Sequence, residues 1–180
     1  MTDNHTGLTW EKKIAFDSMP AATNPHDVDN GYPTIGTCSG SGADCRTDAD
    51  CPSGESCETA DFQTAFPAGL TVFEWVEQLN ATAFAGYSDW RIPSVQELLS
   101  ILDYTASVPA TDPALHGGSC GATCSDLGEP ACSCTSAGPF WTETQEAFNP
   151  SVYWEVDFLD GSVRFAGGSA AQSIRAVRGP

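Results

Sequence analysis

Apolar residues along the chain recur with two different periods, broken by stretches with none, and the changes mark out the elements. Residues 6–13 alternate, with Leu8, Trp10 and Lys12 on one face, which predicts an opening strand with Lys12 at its wet end. From Asp17 to about Phe66 the period disappears into Pro, Gly, Asn, Asp, Ser and Cys. Order returns over 71–84, where Val72, Val76, Leu79 and Ala83 are helically spaced behind a Thr71-x-x-Glu74 capping box. An extended link, 87–93, leads to a second predicted helix over 94–103. There Val95, Leu98, Leu99 and Leu102 repeat the helical period behind a Ser94-x-x-Glu97 box. A second irregular stretch runs to about Pro139. The end is strand-like at 140–142, 152–158, 162–165 and 173–178, with Asp160-Gly161 as a hairpin turn. The first and last strands are expected to pair and close the domain. This order is α+β: two helices packed on a small antiparallel sheet, interrupted by two long loop excursions.

The length of 180 residues suits a single domain able to bury a core. Seven basic residues against 24 acidic ones give a net charge of −17, which repels phosphate backbones and anionic headgroups. Nucleic-acid binding and direct membrane contact are therefore excluded as expectations. No apolar run has the length of a membrane span, and Met1-Thr2-Asp3-Asn4-His5 lacks the basic start and apolar stretch of a signal peptide.

The eight cysteines form two groups, Cys38, Cys45, Cys51, Cys57 and Cys120, Cys124, Cys132, Cys134, set among small and turn-forming residues. Such grouping predicts disulfide-stapled loops in an oxidising, extracellular or cell-surface setting, with no bond between the groups and the pairing within each left open. Zinc held by thiolates, with His116 upstream of Cys120-x-x-x-Cys124, is the competing reading. Residues 26–61 carry eight acids and one base, Arg46. Asp44, Asp48, Asp50 and Glu55 suggest a calcium loop, although the third spaced acid and terminal Glu of an EF-hand are missing. The alternative is that these acids simply keep a surface loop hydrated.

Enzymatic chemistry has little support in the residues. His5, His26 and His116 stand in no recognised motif, and no nucleophile elbow or His-Glu-x-x-His helix occurs. The expectation is a non-enzymatic protein. Trp10, Trp90 and Ile92 read as core, and Asp89 and Arg91 as structural ion-pair partners. At least one of Arg175 and Arg178 is expected to be buried against a carboxylate. In 152–158 alternation assigns Val152, Trp154, Val156 and Phe158 to the core and leaves Tyr153, Glu155 and Asp157 exposed. Ligand contact is accordingly placed on the C-terminal hairpin at Tyr153, Trp154, Glu155, Arg164 and Phe165, with Gln172 nearby, because rings flanked by charged groups suit sugars. From Ser162 onward there are three Arg and no acid. This segment either selects an anionic glycan or neutralises nearby acids.

Five blocks occur in a characteristic order: Asn4-His5-Thr6-Gly7-Leu8-Thr9-Trp10; Gly86-Tyr87-Ser88-Asp89-Trp90-Arg91-Ile92-Pro93-Ser94 with Glu97-Leu98-Leu99; Phe140-Trp141-Thr142; Val156-Asp157-Phe158 with Asp160-Gly161; and Ile174-Arg175-Ala176-Val177-Arg178. Together they resemble the Lcl C-terminal domain family of bacterial surface proteins. The Arg91-Ile92-Pro93-Ser94 block with Glu97 is also similar to the Arg-Leu-Pro-Thr segment of formylglycine-generating enzymes. The resemblance implies a C-type-lectin-like fold, extracellular placement and a role in adhesion or glycan binding. Two departures stand out. Ala176 replaces a cysteine common in the family's last strand, and the acidic loop from Cys38 to Cys57 lies outside the family pattern. Formylglycine-type oxidation is not expected, since no cysteine follows Cys134.

The expected protein is thus one C-type-lectin-like domain over 1–180, with a cysteine-rich acidic insertion at about 26–61 and a second cysteine-rich loop at about 105–139. Its expected role is extracellular binding of a glycan or a surface protein. A self-associating module of a surface filament is the alternative, and an enzyme on the same fold the third.

Overall fold

The computed structural model describes residues 1–14, 17–21, 23–59, 69–106, 108–116 and 133–180. Among these residues, ten helices and strands carry the fold. They are β1 (Thr9–Trp10), β2 (Gly36–Cys38), β3 (Asp44–Cys45), β4 (Cys57–Glu58), α1 (Val72–Ala81), α2 (Val95–Leu99), β5 (Pro139–Gln145), β6 (Val152–Asp157), β7 (Val163–Gly167) and β8 (Val177–Arg178). The α+β class is as expected. The first and last strands pair antiparallel, Thr9 opposite Arg178 and Trp10 opposite Val177. β5, β6 and β7 form the main antiparallel sheet with β6 in the centre. Within the stretch expected as an insertion, residues 36–58 build a sheet of their own, ordered β3-β2-β4, while Val28 and Tyr32 before it are buried, Tyr32 in the cluster with α1.

Both capping boxes form. The Thr71 hydroxyl accepts from the Glu74 N–H at 3.3 Å while the Glu74 carboxylate accepts from the Thr71 N–H at 2.9 Å. Ser94 and Glu97 repeat the exchange. Both helices are shorter than their apolar periods predict. α1 ends at Ala81 because Thr82 turns its hydroxyl back onto the Gln78 and Leu79 carbonyls and Ala83 takes a left-handed φ of 48°. α2 has only five residues, since the Ser100 hydroxyl donates to the Glu97 carbonyl and the next N–H groups bond three residues back. Ile101 continues the apolar period into that turn and is still buried. The Asp160-Gly161 turn joins β6 to β7. Gly161 has φ +75°, and a Cβ there would lie 2.5 Å from the Tyr104 ring.

Apolar side chains gather in two clusters on opposite faces of the main sheet. Val72, Trp75 and Leu79 of α1 pack with Trp90, Ile92, Trp141, Tyr153 and Ile174. Leu98 of α2 packs with Leu8, Trp10, Phe140, Val156, Phe158 and Val177. This double cover corrects the reading of β6. Tyr153, with 1% of its surface exposed, Glu155 and Asp157 are buried, and Trp154 is half-buried. A central strand covered on both sides has no wet face for alternation to reveal.

The opening strand is likewise shorter than expected, and it leads into a buried ionic network. Glu11 and Lys13 are buried, with Lys13 Nζ 3.1 Å from Glu11 Oε1 and His26 Nδ1 2.8 Å from the same oxygen. Burial pushes the Glu11 carboxyl up, but Lys13, His26 and the Ala176 N–H outweigh it and hold it below its ordinary value. Arg175 is buried beside them. Its guanidinium donates to the Glu11 and Cys134 carbonyls and to the Ser133 and Thr135 hydroxyls, and burial pushes its pKa down to about 10 against the favourable charge of Glu11.

Asp27 sits near this network and is buried too, which raises its pKa to about 6 from 3.8, with Asp29 and Asp17 adding to the rise. A carboxyl raised by folding carries no penalty below pH 3.8, accumulates one as pH climbs towards about 6, and holds it above. Asp27→Asn keeps an acceptor for the Asp29 N–H, now 2.9 Å from Asp27 Oδ1. The variant is expected to gain about 1 kcal/mol at neutral pH, discounted for solvent screening, or about 2–4 °C in Tm. Melting curves across this pH range check it: wild type and variant converge at the acid end, and a constant gap disproves the assignment.

Candidate functional site

The insertion is cross-linked within itself by Cys38–Cys51 and Cys45–Cys57. These bonds use every cysteine of the first group, so none runs to the second. Cys134 is disulfide-bonded, which opposes the zinc reading; Cys120, Cys124 and Cys132 lie outside the described residues.

The stapled loop delivers Arg46 to the junction between insertion and core. Its N–H donates to Asp50 Oδ2 at 2.8 Å, and its carbonyl accepts from the Thr71 hydroxyl that begins α1. The backbone is thereby anchored at both ends. The guanidinium lies 5.3 Å from the Phe73 ring centre and 5.8 Å from that of Tyr153, and among the described residues it makes no ion pair. Two clefts meet at Arg46 and Asp50. One, of about 340 Å³, is walled by Ile35, Asp44, Pro150 and Ser151; the other, of about 390 Å³, by Phe73, Val76, Arg91 and Glu143. Sequence reasoning missed this site. Its one signal was a lone base in an acidic loop.

The hairpin residues expected to bind ligand divide between two faces. Tyr153 is packed 6.2 Å from Phe73 and 6.3 Å from Trp141, centre to centre. Trp154 and Phe165 meet edge to face at 5.5 Å on the other side, Phe165 being 58% exposed. Glu155 is raised by burial and opposed by Arg164, 3.7 Å away, and by Gln172, whose side-chain amide donates at 3.1 Å. Arg164 also pairs with Asp157. Arg178 binds Asp89 at 2.7 Å, and Arg91 forks onto Glu97 at 2.8 and 2.5 Å. The C-terminal arginines therefore neutralise acids or serve the core. They make no basic surface.

The proposed calcium set does not converge. Asp48 accepts from the Cys57 N–H, Asp50 from the Arg46 and Thr47 N–H groups, and Glu55 from the Gly40 and Ser41 N–H groups and the Ser41 hydroxyl. Asp44 lines a cleft wall. Among the described residues the one close cluster of metal-ligating side chains is Cys38, Cys45 and Cys51, whose sulfurs are tied up in disulfides.

The order of these elements, from the β1–β8 closure through the Arg91–Glu97 fork to the Trp141 strand, runs the length of the chain. The sequence profile of the Lcl C-terminal domain family matches residues 1–178. The chain belongs to this family. Lcl C-terminal domains are surface-associated, and no helix among the described residues here is long and apolar enough to cross a membrane. No curated protein and no solved structure matches the chain. Within this Lcl domain, the cleft at Arg46 is formed jointly by the disulfide-stapled loop and by Phe73, Val76, Arg91 and Glu143.

Proposed function

We propose that this Lcl domain is an extracellular, non-enzymatic adhesion module of C-type-lectin-like architecture that binds a glycan in the paired clefts around Arg46. The observation that carries the reading is a guanidinium, without an ion pair among the described residues, held over two aromatic rings where the clefts meet. Arg46 supplies donors, Asp44, Asp50 and Glu143 supply acceptors for hydroxyls, and Phe73, Val76 and Ile35 supply apolar surface for the C–H face of a sugar. Acids outnumber bases around the clefts, so a neutral glycan is favoured over a polyanion.

A glycan array followed by calorimetry on the strongest neutral hit tests this. Arg46→Ala is expected to weaken binding at least tenfold, about the loss of one charged hydrogen bond, while Tm stays within about 2 °C. Chelator is expected to change nothing. Unaltered affinity in the variant, or hits confined to sulfated chains, overturns the proposal. One observation favours self-association instead: β7 is an edge strand with Val163 and Phe165 exposed. A sedimentation coefficient that rises with concentration, without glycan hits, supports that reading.

A further inference from the structure

The two edges of the main sheet are treated differently by the chain. On β5 the outward backbone groups are taken up. The Trp141 N–H donates to the Ser173 carbonyl at 3.0 Å, the Ser173 N–H to the Pro139 carbonyl at 3.2 Å and the Glu143 N–H to the Pro93 carbonyl at 2.8 Å. β7 lacks such cover. The Asp157 N–H donates to the Ser162 carbonyl at 2.8 Å and the Gly168 N–H to the Ser151 carbonyl at 2.7 Å, so Arg164 and Ala166, in step with Ser162 and Gly168, turn their backbone groups inward to β6. Val163, Phe165 and Gly167 turn theirs outward, and among the described residues their N–H groups have no partner. These residues are exposed, and an edge of unpaired backbone groups is a template for another strand.

The segment Val163-Arg164-Phe165-Ala166-Gly167 fits an antiparallel copy of itself. Bonded pairs across the edge must join outward residues to outward residues. Full overlap then puts Phe165 on a two-fold axis opposite its counterpart, with Val163 opposite Gly167 and Arg164 opposite Ala166. Each larger side chain off the axis meets a small one. A slip towards the start of the strand sets Arg164 against Arg164, which like-charge repulsion disfavours. In full overlap each Arg164 stays beside its own Glu155 and Asp157 and faces no charge. Trp154 and Phe165, in edge-to-face contact at 5.5 Å, flank the axis, and their row of rings continues into the second copy.

We infer that a second copy of this chain pairs antiparallel with β7 through Val163, Phe165 and Gly167, joining the two main sheets into one. Because Ser173 and Pro93 close the β5 edge, the sheet grows no further, and the product is a closed dimer rather than a filament. This rests on the self-association reading above and gives it a surface and a register. It leaves glycan binding open, since no residue of β7 lines either Arg46 cleft.

Amide hydrogen exchange followed by ¹⁵N NMR, alongside sedimentation, is the test. Salt of about 0.3 M screens the repulsion between chains of net charge −17. Concentrations from about 20 µM to about 1 mM bracket a dissociation constant of roughly 100 µM, suited to so small an interface. Arg164 and Ala166 are expected to be protected throughout, whereas Val163, Phe165 and Gly167 exchange roughly fourfold more slowly at the top of the range than at the bottom. Val163→Pro deletes an outward N–H that β6 does not use, and Phe165→Lys sets like charges on the axis. Each is expected to weaken association at least tenfold while Tm stays within about 2 °C. Arg46→Ala is expected to leave it unchanged. Exchange of the outward amides that does not respond to concentration overturns the inference. With a constant sedimentation coefficient that result assigns the edge to a foreign strand, and with a rising one it places self-association on another face. Species larger than a dimer, or unchanged association in Phe165→Lys, overturn it as well.

Discussion

Arg175→Ala is expected to lower the stability of the domain by about 3–5 kcal/mol, measured by urea denaturation. The guanidinium is buried and donates to two carbonyls and two hydroxyls drawn from β1's exit and from residues 133–135. Removing it strands those acceptors in a dry interior and leaves Glu11 with less positive charge to offset its burial. Arg175→Lys is expected to recover only part of the loss, because an ammonium cannot reproduce the planar fork that reaches Ser133 and Thr135 together. A loss below about 1 kcal/mol in the alanine variant contradicts the role assigned to this residue.

Leu98→Ala is expected to cost about 2–5 kcal/mol, whereas Gln96→Ala, two residues earlier on the same short helix, is expected to be nearly neutral. Leu98 is buried in the cluster that joins α2 to the β1–β8 pair and to Phe140, Val156 and Phe158, while Gln96 is exposed. α2 has only five residues and derives little stability from its own hydrogen bonds, so the packed leucine fixes its place. Equal, small effects at both positions would show that the helix is docked by something other than this face.

The parts of the fold legible in the sequence are those set by local chemistry. Thr71 and Ser94 announce helix starts because a capping box needs only residues three apart, and Asp160-Gly161 announces a turn for the same reason. Helix ends are not legible in this way, since Thr82 and Ser100 act through hydroxyl bonds to preceding carbonyls that apolar spacing does not register. Alternation puts Tyr153 on the wrong side of the water boundary because its burial depends on Trp141 of the neighbouring strand and on Phe73 of α1, which alternation within β6 does not register. Lys13 was hidden by its type: a lysine reads as solvent-exposed until Glu11 and the Trp75 ring, 4.5 Å from its Nζ, are brought to it. Arg46 escaped for a similar reason. Its value lies in the rings beneath it, and Phe73 and Tyr153 are 27 and 107 residues away along the chain.

The excursion that carries Arg46 also bears on how such a protein can diversify. Its two cross-links begin and end within it, and its first and last strands lie side by side, Thr37 facing Glu58, so the stapled segment starts and finishes at neighbouring points. A segment with that geometry can lengthen, shorten or be exchanged for another without asking the scaffold to refold. Changes in the stapled surface and in the supporting framework can therefore proceed separately, and one framework can carry many different faces.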